Sequence, residues 1–271
     1  MLTRARPKRP RPPPQSLRQE YEEFVLQRIE EFKDQLSREE LLTLADEAVR
    51  ELDTEAAEQL VLTEVLVLEH VDRLIIRRLR LPAYRRWRLT HVKLREAQRD
   101  PAHWGLARDT PLPRLTVRLG EPDTALVMGT GAGAVAAALY LAAHDVPVTF
   151  LGDDLAAVEA AEGRAAAEAV GSRFQALFVS LGGWLPDTMP SLVVMDAAML
   201  ATLAPELRAR TIDALKERTR AGGVHGVLPA ERRRDVIPLA METLGAHYQG
   251  WLLEYAGRSG PRGRWFIATK P

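Results

Sequence analysis

From residue 124 to residue 228 short apolar runs alternate with helix-length segments, and this alternation limits the fold more than any other feature of the chain. Strands separated by helices are joined by crossovers, which gives a parallel sheet covered on both faces. The strand segments read Thr124–Met128, Val146–Leu151, Phe174–Ser180, Ser191–Met195 and Val224–Leu228. The helical segments read Ala134–His144, Leu155–Val170 and Leu203–Thr219, the last stopped by Ala221-Gly222-Gly223. A further helix is expected over Val236–Leu244. Tyr248–Ala256 and Arg264–Thr269 flank a glycine-rich turn, Gly257 to Gly263. They read as an antiparallel hairpin that closes an otherwise parallel sheet.

The first part of the chain has a different period. Leu17 to Leu36 places Tyr21, Phe24, Val25, Ile29 and Phe32 on one side of a helix. Ser37 and Glu40 have capping-box spacing, so a second helix is expected there. A third is expected from Asp53 or Thr54. Its Leu60–Leu68 segment is apolar nearly all round, which suits the centre of a bundle or an interface. Pro82 fits the first turn of a fourth helix. On that helix Tyr84, Trp87, His91, Leu94 and Gln98 share one face, and Arg85, Arg88, Val92, Arg95 and Arg99 form the neighbouring stripe. The stripe reads as a core-facing aromatic row whose arginines pair with acidic helices, in preference to a nucleic-acid surface.

The expected organisation is a basic proline-rich tail at 1–16, a helical domain at 17–100, a linker at 101–123 and an α/β domain at 124–271. Pro101, Pro111, Pro113 and Pro122 punctuate the linker, which carries His103, Trp104 and an expected short strand at Leu115–Leu119.

Charge is balanced overall, 37 bases against 37 acids, so the whole molecule has no bulk attraction to polyanions. It is segregated locally. Residues 1–18 hold six bases and no acid, residues 19–72 hold 17 acids and 4 bases, and residues 73–99 hold 10 bases and one acid. With no cysteine, the chain has no disulfide, thiolate metal site or cysteine nucleophile. No metal site is expected. No apolar run reaches the length of a membrane span, and the basic start lacks a hydrophobic signal core. The expectation is a cytoplasmic protein with no membrane partner.

The first strand runs into Gly129-Thr130-Gly131-Ala132-Gly133 and then a helix. Such a turn lets backbone approach a ligand closely and offers free amides at a helix start. Three segments carry a resemblance: Leu126–Gly133 (LVMGTGAG), Arg220–Val224 (RAGGV) and Trp251–Lys270. On these, residues 124–271 resemble the class I S-adenosylmethionine (SAM) methyltransferase family. The resemblance implies a Rossmann-like methyltransferase fold, with a mostly parallel seven-stranded sheet ending in an antiparallel hairpin, behind an all-helical N-terminal domain. It implies SAM as cofactor, with Gly129, Thr130, Gly131 and Gly133 at its methionine end.

The family's usual acid before the glycines falls at Val127, and its ribose-binding acid falls at Gly152. Asp153 and Asp154 follow at once, and Asp153 is one residue from the ribose position. No acid follows the third strand, where Leu181 or Trp184 is expected beside the adenine. Asp196 occupies the usual place at the end of the fourth strand. Catalytic residues are not fixed by this reading; His91, His103, Asp196 and Glu254 are candidates by type alone. Asp196-Ala197-Ala198-Met199 lacks the Asn/Asp-Pro-Pro-aromatic signature of base amino-methylation. A small-molecule acceptor is therefore favoured over RNA, which the arginine stripe and basic tail keep as the second choice.

Two other functions fit the residues. A non-catalytic methyltransferase-like subunit, associating as a homo-oligomer through its helical domain, fits the missing acids. An NAD(P)-dependent oxidoreductase fits GxGxxG/A at Gly129–Ala134 with Asp153 twenty residues after Gly133. No second mononucleotide-binding half supports the oxidoreductase.

Overall fold

The structure is a computed structural model that describes residues 16–55, 64–180, 182–229, 239, 241–257 and 264–271. The chain divides into two compact units, Met1–Leu94 and Arg95–Pro271.

In the first unit α1 (Leu17–Asp34) starts at a capping box in which Ser16 and Gln19 satisfy each other's amides. α2 (Arg38–Glu55) starts at the expected Ser37/Glu40 box, with Ser37 N donating to Glu40 at 2.7 Å. α2 runs through Asp53 and Thr54, where a new helix was expected. No proline or glycine interrupts it, and Glu47 and Glu51 on it pair with Arg78 and Arg77. The third helix, α3, is Glu64–Arg78. Of the apolar Leu60–Leu68 segment, residues 60–63 lie outside the described residues. Val65 and Leu68 are exposed, so the described part buries one face and not its whole girth. The core is Ile29, Leu44, Ala48, Val71, Leu74 and Ile75, with Val25 and Phe32 packed on it.

α4 (Tyr84–Gln98) begins later than expected. The carbonyl of Ala83 accepts its first bonds, so Pro82 precedes the cap. Trp87 is buried, and it stacks on His91 at 4.4 Å and sits 5.4 Å from Tyr21. The aromatic row thus faces inward, as its period requires.

In the second unit the segment before the sheet contributes Trp104, Leu112 and Leu115 to the main core. The expected strand at Leu115–Leu119 is instead overlapped by a short helix, α5 (Leu112–Thr116). Pro113 lies in its first turn, where a fixed φ suits a helix and a missing N–H costs nothing.

The sheet has seven strands: β1 (Ala125–Met128), β2 (Val148–Gly152), β3 (Phe174–Phe178), β4 (Leu192–Asp196), β5 (Val224–Leu228), β6 (Leu252–Ala256) and β7 (Trp265–Thr269). Their order is β3-β2-β1-β4-β5-β7-β6. β1 to β5 pair in parallel, and β7 enters antiparallel between β5 and β6. This is the expected mostly parallel seven-stranded sheet with a terminal antiparallel hairpin. An antiparallel strand beside β5 also leaves no second set of parallel strands for a dinucleotide.

Helices α6 (Ala132–Ala143), α7 (Leu155–Ala167), α8 (Ala197–Thr202), α9 (Pro205–Arg218) and α10 (Met241–Gly245) cover the sheet. Alanines let α6 pack closely: eight of its residues are buried, five of them alanine. α8 was not expected from the sequence; Asp196 starts it by accepting from Ala198 N at 2.8 Å. Of the helix expected over Val236–Leu244, residues 236–238 and 240 lie outside the described residues, and α10 occupies the rest.

Candidate functional site

Parallel strands all end on the same side of a sheet, so the loops after β1, β2 and β4 meet there. The turn after β1 is tight. A Cβ on Gly129 would lie 2.6 Å from Ala134 Cβ and 2.8 Å from Asp196 Cβ, so only glycine fits against the start of α6. A Cβ on Gly131 would lie 2.8 Å from the Asp196 carboxylate. The missing side chain at Gly131 thus leaves a carboxylate close against the turn.

Gly131 caps α6 without any side-chain hydrogen bond. Among the described residues nothing accepts from the N–H groups of Gly131, Ala132 or Gly133. These amides are the positive end of a twelve-residue helix. Thr130 is half-buried in the same turn.

The end of β2 abuts this turn, with Gly129 N donating to Leu151 O at 3.1 Å. Gly152 is the last residue of β2, as the strict alignment requires, and the next residue is Asp153. Asp153 is exposed and has no hydrogen-bond or ion-pair partner among the described residues. Asp154 is already employed: its carboxylate accepts from Ala156 N and Ala157 N as the cap of α7. Its carboxylate is engaged as a helix cap, unlike that of Asp153.

Asp196 is buried at the end of β4, where it caps α8 and flanks Gly129 and Gly131. Val127 is fully buried inside β1.

Trp184 lies in the loop between β3 and β4. Gly182 packs against Leu207 and Thr211 of α9, and the carbonyls of Leu185 and Pro186 accept from Arg218 at the far end of α9. Trp184, between these residues in sequence, is half exposed. Arg218, which pins this loop, carried no sequence signal beyond its charge. Leu181 lies outside the described residues.

The remaining candidates are occupied elsewhere. His91 in the first unit meets Glu20 at 2.9 Å. His103 meets Glu168, the residue that ends α7, at 3.0 Å. Glu254 pairs with Arg114 at 2.6 Å on the outer strand.

At the opposite, N-terminal end of the strands the polar groups are buried and matched. Asp123 accepts from Gly120 N (2.9 Å) and Ser191 Oγ (2.7 Å) and pairs with Arg220. Burial pushes its carboxyl up, and those three partners hold it below the ordinary range. The Thr219 hydroxyl donates to Leu215 O, so it accepts from His225 Nε2 at 2.7 Å, and His225 Nδ1 accepts from Tyr248 at 2.9 Å. Burial, with Lys270 and Lys216 nearby, lowers the His225 pKa to about 3. Lys270 donates to the last carbonyls of α9, Lys216 O and Thr219 O.

No protein-family model and no curated protein matches the chain. Solved structures do. The chain is similar to the N-methyltransferase NodS from Bradyrhizobium japonicum, at 18% identity over 60% of this chain and 94% of that one, with a TM-score of 0.48. It is similar to TehB from Haemophilus influenzae, at 18% identity and a TM-score of 0.47, over 59% of this chain and 61% of that one. It is similar to the glycopeptide N-methyltransferase MtfA complexed with SAM, at 13% identity over 59% and 86%, with a TM-score of 0.43. Two of these three are N-methyltransferases. The match thus spans less than two thirds of TehB, and it covers under two thirds of this chain in each case.

Among the described residues no cluster of His, Asp and Glu could hold a metal ion, and no helix is long and apolar enough to cross a membrane.

Proposed function

We propose that residues 124–271 bind SAM and transfer its methyl group. The observation that carries this is the convergence, at one end of the sheet, of polar groups with nothing to hold: the amides of Gly131 to Gly133 and the carboxylate of Asp153. Free helix-start amides suit a carboxylate, and SAM has one. Asp153 suits the ribose hydroxyls through charge-assisted hydrogen bonds. Asp196, held against the turn, sets a negative charge beside a cofactor that carries a sulfonium and an ammonium.

SAM, when bound, supplies an electrophilic methyl group. Transfer from a sulfonium depends chiefly on alignment, so the chain's task is to orient and to exclude water, and a dedicated base is optional. We read the acceptor as a small molecule. Residues 197–202 after β4 form a helix with Ala197, Ala198 and Met199 buried, which leaves no projecting loop there to hold an unstacked base.

Isothermal titration with SAM and with its demethylated product tests the proposal. Binding at micromolar concentration is expected, weakened about tenfold or more in Asp153→Ala, since such bonds contribute about 1.5–3 kcal/mol. No heat at high micromolar ligand contradicts it.

One observation favours a second reading, a non-catalytic subunit. Where the ribose-binding acid belongs, Gly152 is packed so closely that a Cβ there would lie 2.9 Å from Val158 Cγ2. A null titration combined with self-association in light scattering is the result expected of that reading.

A further inference from the structure

The first unit carries a basic face that its own acids leave uncovered. With Trp87 and His91 turned inward, the outer side of α4 exposes Arg85, Arg86, Arg88 and Lys93. On a helical projection Arg85 and Arg88 flank one side of Leu89, and Arg86 and Lys93 flank the other. Several acids of the unit are engaged with other bases: Glu47 and Glu51 with Arg78 and Arg77, Glu22 with Arg18, and Glu30 and Asp72 with Lys33. Among the described residues Arg85, Arg86, Arg88 and Lys93 have no carboxylate partner. The α2 acids Glu47 and Glu51 thus pair with Arg78 and Arg77 of α3, and not with Arg85 or Arg88 of the expected stripe.

The start of the chain adds charge of the same sign. Residues 1–15 contain Arg4, Arg6, Lys8, Arg9 and Arg11 and no acid. They join the unit at Ser16, and the neighbouring turn of α1 lies on the start of α4. The Arg18 guanidinium is 5.1 Å from the Tyr84 ring, and Tyr21 donates to Pro82 O at 3.1 Å.

We infer that the outer face of α4, at Arg85, Arg86, Arg88 and Lys93, is a docking surface for the phosphate backbone of a nucleic acid. Three of the four are arginines, whose planar fork matches a phosphate. The aromatic rings of α4 are turned into the core, so no ring stacks on bases and binding is independent of sequence. A membrane surface fits less well, because a helix lying in lipid needs a broad apolar outer face, and here Leu89 and Val92 sit among charged residues that include Glu96. This inference does not rest on the cofactor reading, and its test contains no SAM.

The full chain is titrated against fluorescent single-stranded RNA and duplex DNA of unrelated sequences between about 50 and 200 mM salt. The triple variant Arg85→Gln, Arg88→Gln, Lys93→Gln is compared, with circular dichroism to establish that it keeps its helices. The expected result is binding to all sequences alike, weakened about tenfold or more in the variant, with a salt slope shallower by about 2. No binding by the unaltered chain, or equal affinity in a folded variant, overturns the inference. So does binding of this face to anionic vesicles but not to nucleic acid, or a dimer that the triple variant dissociates.

Discussion

The two ends of the sheet treat polar groups in opposite ways. At the N-terminal end Asp123, His225, Thr219, Tyr248 and Lys270 are buried or half-buried, and each has its hydrogen bonds satisfied within the protein. At the C-terminal end the amides of Gly131 to Gly133 and the carboxylate of Asp153 have no partner among the described residues. Both ends contain acids, and charge alone does not separate them. What separates them is whether the groups are consumed by the fold. Buried groups left unmatched cost free energy, so the N-terminal end is closed by stability, and the C-terminal end can stay open because water or a ligand reaches it.

The comparison breaks most readily at Asp123. Asp123→Ala strands Ser191, Arg220 and Gly120 N together, and about 3 kcal/mol of stability is expected to go. Urea unfolding measures it. A loss below about 1 kcal/mol means that the N-terminal end is not a structural lock.

His225 gives the next largest effect, through pH. Its folded pKa is about 3 against an ordinary 6.5, so the unfolded chain takes up the proton first. Stability is full above pH about 6.5 and falls toward pH 3, at up to about 1.4 kcal/mol per pH unit. Between about pH 6.5 and 5, above the ordinary carboxylate range, the loss is expected to be about 2 kcal/mol and to flatten in His225→Gln. An unchanged slope in that variant contradicts the neutral, doubly hydrogen-bonded imidazole.

Tyr248→Phe removes the hydroxyl that His225 Nδ1 accepts from, and about 1–2 kcal/mol is expected to be lost. The smallest stability change belongs to the other end. Asp153→Ala should leave unfolding unaltered to within about 0.5 kcal/mol, because the residue is exposed and has no partner to lose. Trp184→Ala should leave SAM affinity unchanged, since the residues on either side of Trp184 are held against α9. A drop in affinity there would return Trp184 to the adenine position expected from the sequence.

The sheet, its hairpin and the glycine turn were legible because apolar period and glycine placement are local signals. The role of Asp196 beside the turn was visible in its place at the end of a strand. Other features depended on groups distant in sequence. Asp154 looked as available as Asp153 until α7 claimed its carboxylate. Nothing in the sequence signalled that Arg218, 34 positions after Trp184, binds the carbonyls of the two residues that follow Trp184. The His225–Tyr248 pair joins β5 to a short turn before β6, and no spacing rule links them. A strand was expected at Leu115–Leu119, overlapping the short helix at Leu112–Thr116, because the apolar residues there are too few to show a period.

Amide hydrogen exchange in the presence and absence of SAM tests most directly whether the open end of the sheet is a cofactor site. Slowed exchange is expected at Gly131, Ala132 and Gly133, with none at Gly120, Ser191 or His225. Unchanged exchange at those three amides under saturating SAM, or protection appearing at the Asp123 end instead, contradicts the account.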